Sequence, residues 1–172
     1  MTANLGNQLE AVCRQQPVQK ALAFLERDAG RTLDEQKAMT LIPAPPFKEQ
    51  ARAAFFRDRL AAAGVADVRI DAEGNVIGVR RGGAGPALVL SAHIDTVFPE
   101  GTDLAITEKD GRLHAPGIRD DSRGLAVVLS VARAFAETGL RTLGDVWFVG
   151  TVGEEGLGNL RGVRALFRDN AA

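Results

Sequence analysis

Leu88-Val89-Leu90-Ser91-Ala92-His93-Ile94-Asp95-Thr96-Val97 is an apolar run that ends in polar residues. Gly85-Pro86 precedes it and Pro99-Glu100-Gly101 follows it, so it reads as a buried strand of about residues 86–93. His93 and Asp95 are two positions apart, which puts both on the same face of a strand. A carboxylate in that place can take one ring N–H, fix the tautomer and leave the other nitrogen for a metal. A core histidine satisfied by a neighbouring Asp is the simpler alternative, and this stretch alone does not decide between them.

Working outward, residues 65–70 and 76–79 alternate in twos around Glu73-Gly74-Asn75, which predicts a hairpin. A second hairpin is expected over 103–108 and 112–115, around Lys109-Asp110-Gly111. Leu125, Val128, Leu129, Ala132, Phe135 and Ala136 share one helical face, with Ser122 placed to cap the start and Gly139 to end it. Residues 145–151 form another apolar strand, followed by Gly153-Glu154-Glu155-Gly156 and a short helix over 159–167. Upstream, Val18, Ala21, Leu22 and Leu25 predict one helix over residues 4–28, broken at Gly30. Helices over 31–41 and 48–63 follow, the latter with Phe55, Phe56 and Leu60 inward and its Lys and Arg residues on the solvated face. Pro43-Ala44-Pro45-Pro46 reads as a rigid connector within one domain rather than a proline-motif ligand. Strand–loop–helix–strand order with apolar strands is an α/β pattern.

Composition limits the function classes. The 172 residues suffice for one domain with a real core. Lys+Arg is 21 against Asp+Glu 22, so the net charge of −1 argues for neither nucleic acid nor an anionic membrane as partner. Cys13 is the lone cysteine, which rules out an internal disulfide and fits a reducing compartment; no basic-then-apolar leader opens the chain, and a cytoplasmic location is expected.

The polar clusters His93/Asp95, Asp120/Asp121 and Glu154/Glu155 fall at the ends of elements that should be neighbours. Ligands collect outside the carboxyl ends of strands in open α/β sheets. Crowded carboxylates repel unless a cation cancels their charge, and histidine with Asp/Glu suits zinc, cobalt or manganese better than calcium. Asp120 precedes a helix N-terminus, which favours its ionised form, and its two oxygens could be shared by two metals that hold and acidify one water. Adjacent residues in an extended segment point different ways, so one of the Glu154-Glu155 pair could bind metal while the other acts as base. Read alone, the pair is simply a solvated turn. His114 suits a surface or packing role, Cys13 helix packing, and Arg80-Arg81 a solvated turn. Gly153–Gly158 is no phosphate loop, because its two carboxylates would repel phosphate.

Three segments carry a resemblance. Ser91-Ala92-His93-Ile94-Asp95-Thr96-Val97, Ala115-Pro116-Gly117-Ile118-Arg119-Asp120-Asp121-Ser122-Arg123-Gly124 and Gly150-Thr151-Val152-Gly153-Glu154-Glu155-Gly156 resemble, in order and spacing, the early motifs of the di-zinc metallopeptidase family of aminoacylase, carboxypeptidase G, succinyl-diaminopimelate desuccinylase and peptidase T. The resemblance runs from about Ala38 to the end. It implies a three-layer zinc-exopeptidase-like α/β fold, a mixed sheet between helices, incomplete at the C-terminus. It also implies metal-dependent hydrolysis of an amide bond in a peptide or N-acyl amino acid. By the same resemblance His93 would be a ligand of one zinc, Asp95 its supporting partner, and Asp120 the bridge between two zincs. Glu155 would be a ligand of the other, and Glu154 the general base. The family often has a cis peptide after the bridging Asp.

The chain also departs from the family. Members are much longer and add a further carboxylate ligand, a last histidine ligand and a lid domain, whereas no histidine follows His114 here. Residues 1–172 are therefore expected to be the N-terminal part of a catalytic domain. Each zinc would keep two protein ligands where a catalytic zinc usually has three. Weak metal binding and little hydrolysis by this chain alone are the expectation. The rival reading is a non-catalytic binding or assembly module, in which an uncovered sheet edge drives association into homo-oligomers. A nucleotide-binding α/β domain is a more distant third.

Overall fold

The structure is a computed structural model that describes residues 2–170. Four helices come first: α1 (Thr2–Cys13), α2 (Gln16–Arg27), α3 (Ala29–Thr40) and α4 (Gln50–Ala62). The single helix expected over 4–28 is thus two. Pro17 lies in the first turn of α2, and a proline ring clashes with the carbonyl four residues back, here that of Cys13. The Gln19 side-chain amide donates to that carbonyl at 2.5 Å. Gly30, expected to break the pattern, lies inside α3. The break falls at Asp28, which ends α2 and begins α3, because its carboxylate is drawn into the core by Arg133.

The remaining strands and α-helices are β1 (Arg69–Ile70), β2 (Val76–Arg80), β3 (Gly85–His93), β4 (Thr107–Lys109), β5 (Arg112–His114), α5 (Ser122–Thr138), β6 (Gly144–Thr151) and α6 (Arg161–Asn170). The main sheet has the order β1-β2-β6-β3. Strands β1 and β2 pair antiparallel, as do β2 and β6, whereas β3 runs parallel to β6. Strands β4 and β5 form the second expected hairpin. The fold is therefore α/β with a mixed sheet.

Alternation along β6 builds the layers. Val146 and Phe148 face the main core, with Met39 of α3, Phe56 and Leu60 of α4, and Leu125 and Leu129 of α5. Val149 faces the opposite side, where it meets Ile77 and Leu166 of α6. One face of the sheet thus carries α3, α4 and α5, and the other α6. The close approach of α4 needs Gly150, because a Cβ there would sit 2.9 Å from the Phe56 ring.

Two expectations about elements are corrected. Strand β3 is not buried along its length: residues 85–88 are exposed, and only Ala92 within it is fully buried. It lies at the edge of the sheet with β6 as its neighbour. Ser122 does not cap α5; Asp121 does, its Oδ1 accepting the Gly124 N–H at 2.9 Å. A carboxylate one residue earlier outcompetes the hydroxyl, since it is charged and faces the helix N-terminus. Gly139 ends α5 in the left-handed region, φ 64°.

The expected solvated face of α4 also fails at one residue. Arg52 is fully buried. It donates to the Ile42 carbonyl from Nε at 2.9 Å and to the Ile94 carbonyl from Nη1 at 3.0 Å. The proline connector is stitched into the same core, with the Thr96 N–H bonded to the Ala44 carbonyl at 2.9 Å.

Candidate metal centre

Strands β3 and β6 run parallel with His93 opposite Thr151, so the segments that leave them emerge side by side. The N-terminus of α5 reaches the same rim: Asp121 Oδ2 accepts the backbone N–H of His93 at 3.1 Å. One carboxylate thus caps α5 and fastens it to the end of β3.

The His93 ring is oriented at both nitrogens. Nδ1 lies 3.0 Å from the Asp95 backbone carbonyl. A carbonyl only accepts, so Nδ1 carries a proton and Nε2 is the nitrogen turned to the rim. Nε2 stands 2.7 Å from Asp120 Oδ1. Burial works against a charge on this ring, but the Asp95, Asp120 and Asp121 carboxylates outweigh it and raise its pKa to about 9.

Asp95 is fully buried. Its carboxylate is 3.7 Å from Nδ1, too far for a hydrogen bond. The expected ring contact is made by its backbone oxygen instead. The carboxylate takes the backbone N–H of Glu154 at 3.0 Å and of Glu155 at 2.8 Å. Burial would raise its pKa, but His93 and the two amides hold it below the usual carboxylate range.

Those two hydrogen bonds aim the glutamates. Among the described residues, His93, Glu154 and Glu155 each offer a donor atom, all within 4.8 Å of one another. Glu154 is exposed and Glu155 half-buried. Burial and the Glu154 charge raise the pKa of Glu155, and burial raises that of Asp121. Asp120 is outside this three-donor group, its exposed side chain resting on His93 Nε2. The Asp120–Asp121 peptide bond is cis. His114 is exposed on β5 and takes no part.

One imidazole nitrogen and several carboxylates on one rim suit a divalent cation of the zinc type. The donors are aimed by part-buried hydrogen bonds to Asp95, so the residues present fit such an ion. Two contributors were missed in the sequence. Arg52 and Glu49 share the stripe of Ala53, Phe56 and Leu60, all buried at helical spacing. That spacing was the available signal. The Arg161 guanidinium bonds Glu49 at 2.9 Å and Glu73 at 3.1 Å, bracing the segment after β6.

Comparison with known proteins gives the same direction. Residues 89–171 match the model of peptidase family M20/M25/M40. This segment is therefore similar to that family. The chain is 31% identical over 83 residues to carboxypeptidase G2 of a Pseudomonas species, covering 47% of this chain and 20% of that protein. It is 37% identical over 110 residues to the LysW-lysine hydrolase of Deinococcus radiodurans, covering 63% and 28%. A tripeptidase from Staphylococcus aureus superposes with a TM-score of 0.67 at 26% identity, over 80% of this chain and 40% of that one. The chain therefore spans 20–28% of the length of these two curated relatives. By name these relatives are a carboxypeptidase, a hydrolase and a tripeptidase, and each is matched only in part. No described helix is long and apolar enough to cross a membrane.

Proposed function

We propose that this chain carries the metal-binding rim of a metal-dependent hydrolase that cuts an amide bond in a peptide or an N-acyl amino acid. The observation that carries the reading is the convergence of His93, Glu154 and Glu155 to within 4.8 Å. In this reading His93, Asp120 and Glu155 would hold zinc, and Glu154 would act as the general base. A bound zinc would supply a Lewis acid for the amide carbonyl and lower the pKa of water. Glu154 is exposed on the same rim, where it would take a proton from the attacking water and deliver it to the leaving amine. Asp95 keeps both glutamates aimed through their backbone and is a positioning residue.

Hydrolysis of a panel of dipeptides and N-acyl amino acids with added zinc tests this. Any turnover should vanish in Glu154→Gln while zinc uptake persists. Turnover that survives both Glu154→Gln and a chelator contradicts the proposal. A second reading is a non-catalytic assembly module, favoured by the exposed edge strand β3 with Leu88 at its surface. Concentration-dependent association without zinc-dependent turnover supports it instead.

A further inference from the structure

Beside the three donors lies a cavity of about 360 Å³. Its walls come from three segments: Pro45 and Phe47 before α4, Val97 and Phe98 after β3, and Leu157 after β6. Among the described residues, Glu155 is the one charged residue that lines it. The cavity and the candidate metal centre therefore share a side chain.

The walls are exposed yet braced. Phe47 is 57% exposed, Val97 60% and Leu157 88%. Exposed large apolar side chains are ordinary when scattered, but here they face one concavity. The Arg161 guanidinium lies over the Phe47 ring, 4.8 Å from its centre. The Lys48 N–H returns to the Pro45 carbonyl at 2.9 Å, and the Lys48–Glu100 ion pair joins the first wall to the loop of the second. The third wall follows directly on Glu155, whose N–H is held by Asp95. A cavity fixed in this way needs little reorganisation to bind.

We infer that this cavity receives the large apolar side chain, aromatic or branched aliphatic, of the amino acid whose amide bond reaches the His93/Glu154/Glu155 rim. The inference rests on the hydrolase reading and adds to it a substrate class. Three features choose this occupant. The volume exceeds the ~150 Å³ that encloses a benzene ring. The proline and phenylalanine side chains offer flat apolar faces but no hydrogen-bonding group for a polar side chain. Glu155, shared by the cavity and the donor group, stands where the ligand must pass from apolar wall to rim.

The inference can be tested without turnover. N-acetyl-phenylalanine and N-acetyl-serine have the same charge and backbone and differ only in the side chain. Each is titrated into the isotopically labelled full chain, and amide shifts are followed by NMR. N-acetyl-phenylalanine should bind about tenfold or more tighter, with the largest shifts at Phe47, Val97 and Leu157. Val97→Asp and Leu157→Lys, both at exposed positions and checked by thermal melting, should each remove that preference. Equal affinities, shifts elsewhere, or a preference that survives both variants would overturn the inference. Zinc uptake by the unaltered chain is measured separately. Uptake without a side-chain preference sinks the cavity and spares the hydrolase reading; a preference without uptake does the reverse.

Discussion

Asp95 holds Glu155 by its backbone: Oδ2 of the buried carboxylate accepts the Glu155 N–H at 2.8 Å, while Oδ1 accepts that of Glu154. A residue that touches no rim donor with its carboxylate therefore sets the direction of two of them. Asp95→Ala leaves both N–H groups without their acceptor, at a cost of about 1–3 kcal/mol each. Zinc affinity should fall about 10–100-fold, read by competition with a coloured chelator. Unchanged affinity would show that the glutamates are aimed by something else.

Arg52 connects the proline loop to the strand end, bonding the carbonyls of Ile42 and Ile94. Burial lowers its pKa to about 10, against the opposing pull of Asp95, so it stays charged at neutral pH. Arg52→Met leaves both carbonyls and the Asp95 charge without this partner. A loss of about 3 kcal/mol is expected in urea unfolding. Arg52→Lys keeps the charge but not the planar fork, and should recover only part of that. Equal stability of Met and wild type would contradict the assignment.

A second buried arginine predicts the acid limb. Arg133 bonds Asp28 Oδ2 and Glu35 Oε2, each at 2.6 Å, and Ser130 donates to Asp28 at 2.8 Å. Burial pushes the Asp28 carboxyl up, but Arg133, Ser130 and Thr32 overcome it and hold it below its ordinary 3.8. A depressed carboxyl contributes stability that is full above its unfolded value and lost as pH falls through its folded one. Asp28→Asn should therefore narrow the gap in stability between neutral pH and values below about 3.8. Urea midpoints across that range check it, and an unaltered acid limb would refute it.

Gly150 sits where α4 presses on the sheet. A Cβ there would meet the Phe56 ring at 2.9 Å and Ile94 Cδ1 at 3.0 Å. Gly150→Ala should cost about 1–3 kcal/mol by overpacking, measured as a lower midpoint of thermal unfolding. Because Ile94 lies between His93 and Asp95, zinc affinity should weaken too.

Much of this was legible in the chain. Apolar periodicity placed α4, α5, β2 and β6, the prolines from Pro43 on marked the end of α3, and the polar tips after β3 and β6 located the rim. What periodicity cannot register is a long-range partner. Asp28 reads as an ordinary polar residue until Arg133 arrives from α5, and Arg52 reads as solvated until the Ile42 and Ile94 carbonyls are known. The edge position of β3 was hidden for the same reason, since strand order depends on which segments pair. At the rim, the residues and their convergence were visible, but the place of Asp120 outside the three-donor group was not. Asp95 was expected to contact the imidazole with its carboxylate, and the backbone carbonyl does so instead.

The most direct measurement is equilibrium dialysis of the chain against zinc, with His93→Ala, Glu155→Ala and, as a control away from the rim, His114→Ala. Saturable uptake is expected in the unaltered chain and in His114→Ala, weakened at least about tenfold in the other two. No uptake, or uptake equally strong without His93 and without Glu155, would contradict the metal centre.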